Sequence, residues 1–85
     1  MTYRVEFEPA AARALGKLER SLQKRIRGVL DVLALTPRPP AAKKLVGSEL
    51  WRVRTGDYRI VYAIEDERLL VVVVKVGHRR GVYDR

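Results

Sequence analysis

The chain has 85 residues, no cysteine and one histidine, with 18 Lys and Arg against 10 Asp and Glu for a formal charge of +8 and a pI near 10.5. That length supports one domain, residues 1–85, with one small core, and such a chain buries only about 60–65% of the surface it exposes when unfolded. Disulfides, thiolate chemistry and a zinc-type ligand set are excluded, and the charge favours a polyanion or an acidic protein as partner without saying anything about fold.

The opening "MTYRVEFEP" lacks the charged and apolar regions of a signal peptide. From Tyr3 to Phe7 it alternates with period two, the pattern of a half-buried strand. Pro9 suits the first turn of a helix, where a missing N–H costs nothing. Leu15, Leu18, Leu22, Ile26, Val29, Leu30 and Leu33 then recur at steps of three and four, which predicts a helical stripe. A break near Arg20-Ser21, with Ser21 as N-cap, divides it into two helices. "TPRPP", Thr36 to Pro40, stops the second.

Ala41 to Glu49 reads as a loop pivoting at Gly47. Three strands follow, at Leu50 to Arg54, Tyr58 to Ile64 and Leu69 to Val76, with turns at Thr55-Gly56-Asp57 and Glu65-Asp66-Glu67. "LLVVVVKV" is apolar at consecutive positions, as in a strand covered on both faces or central in its sheet. Its apolar run is far too short to span a bilayer, so a soluble cytoplasmic protein is expected. The order β-α-α-β-β-β predicts an α+β fold, a helical pair packed on a mostly antiparallel four-stranded sheet.

Alternation also sorts the arginines. With Trp51 and Val53 toward the core, Arg52 and Arg54 share the other face. Arg59 joins them from the next strand, over a floor of Val61 and Ala63. The segment after the last strand brings His78, Arg79 and Arg80 toward the same sheet end, with Tyr83 close behind. Such a cluster binds phosphates bidentately and stabilises charge developing on a phosphoryl group. The competing reading is a solvated face on which long arginines lie over apolar surface. Convergence of cations from several segments favours the first.

Other candidates are weaker. Ser21 and Ser48 have no base nearby in sequence, so a serine nucleophile is not supported. Glu65-Asp66-Glu67 is acidic in a way that merely solvates a hairpin. Arg20, Lys24, Arg25 and Arg27 are the solvent face of the second helix, with backbone contact to RNA or DNA as the alternative.

The segment "KKLVGSELWRVRTGDYRIVYAIEDERLLVVVVKVGHRRGVY", with the strand and helical pair before it, resembles the RelE/ParE superfamily of type II toxin–antitoxin toxins. Its "W-R-x-R-x-G-D-Y-R-I-x-Y" and "V-G-H-R-R-x-V-Y" patterns look more like the RelE branch than the ParE branch. The resemblance implies a metal-independent, cofactor-free endoribonuclease that cuts mRNA in the ribosomal A site by attack of a ribose 2′-OH on the adjacent phosphate. It implies catalytic roles for Arg52, Arg54, Arg59, Arg79 and Tyr83, and RNA contacts from Arg52, Arg54, Arg80, Lys43 and Lys44. Relatives often carry lysines at the positions of Arg52 and Arg54. Arginine stays charged in proteins, so proton transfer is expected to pass to His78 or Tyr83. The implied partners are the ribosome, mRNA and an acidic RelB-like antitoxin that wraps the toxin and supplies most DNA contact. A ParE-like DNA gyrase inhibitor is the alternative on the same fold, and a member that only binds its antitoxin is a third.

Overall fold

A computed structural model describes residues 2–78. The first strand, β1 (Arg4–Phe7), leads through Glu8 into helix α1 (Pro9–Gly16), with Pro9 at its first turn as expected. Helix α2 (Arg20–Leu35) follows after three residues. Its N-cap is Glu19 rather than Ser21, in extended backbone and with no side-chain capping bond. Ser21 lies inside the first turn and donates from Oγ to Oε1 of Glu19 at 2.9 Å. Gln23 joins the helices by donating from Nε2 to the Leu18 carbonyl at 2.8 Å, satisfying an acceptor left over beyond α1.

The remaining strands are β2 (Lys43–Lys44), β3 (Trp51–Thr55), β4 (Tyr58–Glu65) and β5 (Leu70–His78). They form a five-stranded sheet in the order β1-β5-β4-β3-β2, so the expected four strands gain a short fifth. Lys43 and Lys44 pair antiparallel with Arg52 and Trp51 inside the segment read as a loop. Two lysines carry no strand pattern of their own. Their pairing is held by the turn beyond them, where the Leu45 N–H donates to the Leu50 carbonyl and Gly47 takes φ 73°. Only β1 and β5 pair in parallel.

The β3–β4 turn is Gly56-Asp57, and Gly56 has φ 61°, a conformation glycine adopts without steric cost. Between β4 and β5 a 3-10 turn, Asp66–Arg68, ends at Leu69 with φ 50°. Leu69 is therefore a turn residue, and β5 runs two residues further than its sequence pattern predicts.

Both helices cover one face of the sheet. Ala11 and Leu15 of α1, and Ile26, Leu30 and Leu33 of α2, pack against Val53, Ile60, Tyr62, Val71, Val73 and Val76. Tyr62 is fully buried, and its hydroxyl donates to the Pro37 carbonyl at 2.7 Å. Burial disfavours the phenolate and pushes its pKa up to about 12, against a weaker opposing effect of Arg38. Arg38 itself anchors the segment after α2. Its guanidinium forms a two-point bond to the Asp66 carboxylate, at 2.9 and 3.3 Å, and sits 5.6 Å from the Trp51 ring centroid. Tyr3 donates to the same carboxylate at 2.7 Å. These bonds hold the Asp66 carboxyl below its usual range, the Arg38 bond contributing most. Asp66 thus ties the start of the sheet to the loop after α2, a role its place in an acidic turn did not suggest.

A basic face on the side of the sheet away from the helices

Directly opposite residues in a sheet share a face, so the strand register fixes which cations meet. On the side away from the helices, Arg52 lies opposite Val61, and Arg54 lies opposite Arg59. Lys43 extends the first row through its pairing with Arg52. On β5 the same face continues with Lys75, opposite Val61, and Gly77, opposite Arg59. The result is two rows, Lys43–Arg52–Val61–Lys75 and Arg54–Arg59–Gly77. Val61, 3% exposed, forms the floor between Arg52 and Lys75.

Like charges set directly opposite one another destabilise a sheet. Arg54 and Arg59 are such a pair, with Arg52 two residues away on the same side. Among the described residues, no carboxylate forms an ion pair with Arg52, Arg54 or Lys75, whereas Arg4, Arg38, Lys44 and Arg68 each have one. An anionic ligand relieves that repulsion, and guanidiniums suit phosphate oxygens.

The structure brings together Arg52, Arg54, Arg59 and Lys43 of the expected site. Lys44, the neighbour of Lys43, points to the other face beside Trp51 and pairs with Glu49 at 3.7 Å. His78 is also separated from the arginines. It lies opposite Tyr58 on the helix-facing side, with ring centroids 5.6 Å apart in an edge-on contact. Expected positions Arg79, Arg80 and Tyr83 lie outside the described residues.

Lys75 was missed by the sequence reading, although a lysine inside a valine run is itself a signal. The α2 cations Arg20, Lys24, Arg25 and Arg27 are exposed, and Arg25 reaches the β3–β4 turn, where a Cβ at Gly56 would stand 3.0 Å from its Nη1. Among the described residues, no group of three His, Asp or Glu side chains is placed to hold a metal ion, and no helix is long and apolar enough to cross a membrane.

The two-helix cover and five-stranded sheet define a class. The family model for the ParE toxin of type II toxin–antitoxin systems, parDE, matches residues 5–83. This chain belongs to the RelE/ParE superfamily and is a type II toxin of its RelE family. Toxin RelG of Mycobacterium tuberculosis is 35% identical over the whole of both chains. The mRNA interferase toxin RelE of Escherichia coli K12 is 28% identical over 93% of this chain and 85% of its own. In the crystal structure of the RelBE2 toxin–antitoxin complex from M. tuberculosis, one chain superposes with a TM-score of 0.83 at 30% identity, over 93% of this chain and all of that one.

Proposed function

We propose that the protein is a ribosome-dependent mRNA endoribonuclease that cuts in the A site. The observation that carries this is the Arg54–Arg59 pair, with Arg52 beside it, on the sheet face away from the helices. The name of the RelE relative supports an RNA target. The 2′-oxygen of one nucleotide attacks the adjacent phosphorus, leaving a 2′,3′-cyclic phosphate and a 5′-OH, without a metal ion. Arg52 and Arg54 stabilise the charge that grows on the non-bridging oxygens. Arg59 and Arg79 clamp the scissile phosphate, Tyr83 stacks on a base or takes part in proton transfer, and Lys43 and Arg80 hold the strand.

The partner is an acidic RelB-like antitoxin whose segment folds over the toxin and covers the arginines. The RelBE complexes among the structural relatives support such a pairing. A cytoplasmic site of action follows from the ribosome as target.

The second reading, inhibition of DNA gyrase without RNA cleavage, is favoured by the ParE description of the matching family model. Primer extension on programmed ribosomes, with the parental protein beside Arg59→Ala, separates the two. Discrete A-site cuts that vanish in the variant support the nuclease. Intact mRNA together with inhibited gyrase supercoiling supports the inhibitor.

A further inference from the structure

The β4–β5 ladder is irregular between Val61 and Tyr62. Tyr62 lies opposite Val73 and Val61 opposite Lys75, so Val74 has no counterpart. A regular ladder continued from Tyr62 would set Ile60 against Lys75 and turn the lysine toward the core. A bulge moves every later side chain of its strand to the other face. It therefore delivers Lys75 to the basic face and carries His78 away from it.

Lys75 is exposed beside the buried Val61. Opposite Arg59 stands Gly77, which places no side chain of its own between Arg59 and the diagonal neighbour, Lys75. Diagonal neighbours across a ladder lie about 7–8 Å apart, a gap two long side chains close over one phosphodiester. Arginines do not release protons in proteins, whereas an ammonium can. In the two rows only Lys43 and Lys75 carry such a proton. Lys43 is on the edge strand, three strand spacings from Lys75, or roughly 14 Å.

Resting on the endoribonuclease reading, we propose that Lys75 is the general acid of the cleavage. The 2′-oxygen forms the new bond to phosphorus and its proton passes to water. The P–O5′ bond breaks with its electron pair on the 5′-oxygen, which takes a proton from Lys75 Nζ. The amine regains a proton from water, so atoms and charge balance.

A 5′-bridging sulfur at the cut site tests this, because a thiolate leaves without a proton. Programmed ribosomes carrying oxygen or sulfur mRNA are treated with the parental protein, Lys75→Met, Lys75→Arg and Tyr83→Phe. Both lysine variants are expected to slow about 10²–10³-fold on the oxygen substrate and to approach the parental rate on sulfur. Thermal melting serves to confirm that they are folded. Equal slowing on both substrates, parental rates on oxygen, or sulfur rescue of Tyr83→Phe in place of the lysine variants overturns the assignment. Intact mRNA with the parental protein on active ribosomes overturns the endoribonuclease reading as well, which distinguishes the two failures.

Discussion

At the β1 end of the sheet Arg4 stands 3.1 Å from Glu6, and Arg68 stands 3.0 Å from Glu65. At the hairpin end Arg52 is half-buried and Arg54 exposed, with no such carboxylate among the described residues. The first arrangement is self-contained, since exposed pairs of this kind contribute little and are screened by salt. The second carries repulsion that a bound anion relieves. The lesson is that net charge says little until each cation's nearest counterion is known.

Substitutions at the two ends should diverge accordingly. The largest effect is expected for Arg59→Ala, a loss of about 10²–10³ in A-site cleavage, read by primer extension with melting to confirm the fold. An activity close to parental would place the reaction elsewhere on the molecule. Next, Tyr62→Phe leaves the Pro37 carbonyl without its buried donor, for about 1–2 kcal/mol in urea unfolding.

The same residue shapes stability at high pH. Its pKa is raised in the folded state to about 12 from 10.0, so the folded protein keeps a proton that the unfolded chain loses. That contribution, on the order of 2–3 kcal/mol, is present below pH 10 and lost as the pH climbs toward 12. Tyr62→Phe should flatten the alkaline limb of the stability curve, and an unchanged limb would exclude Tyr62 as its source.

Asp66 titrates in the opposite sense. Its carboxyl is held below 3.8 by Arg38 and then Tyr3, so its contribution is present above that value and lost as the pH falls below it, through the lower pKa of the folded state. Asp66→Asn should weaken the acid limb slightly, and less in high salt. The smallest effect belongs to Arg4→Ala, under about 0.5 kcal/mol with cleavage unchanged. A large loss of cleavage in Arg4→Ala would erase the contrast between the two ends.

Much of this was legible in the sequence because it rests on local patterns. The leucine and isoleucine spacing of the two helices, the proline stop after Leu35, and the alternation of Trp51 to Arg54 all matched the structure. The two-lysine strand did not show itself, because its pairing is fixed by the turn at Gly47 rather than by its own residues. The exchange of His78 for Lys75 was hidden for a different reason. Alternation reveals register only where polar and apolar residues alternate, and Leu70 to Val74 are apolar throughout. A bulge at Val74 leaves no trace in such a run, yet it decides the faces of Lys75 to His78.

The parallel pairing of β1 with β5 bears on how the protein is made. The strand that completes the centre of the sheet follows every other strand in the chain, and β1 has no partner until it arrives. Contacts of such long sequence separation form late and slowly. A nascent chain therefore emerges with its first strand unpaired and Lys75 not yet synthesised. The Lys43–Arg52–Val61–Lys75 row is complete only once β5 has joined β4, so one pairing event both finishes the basic face and gives β1 its partner.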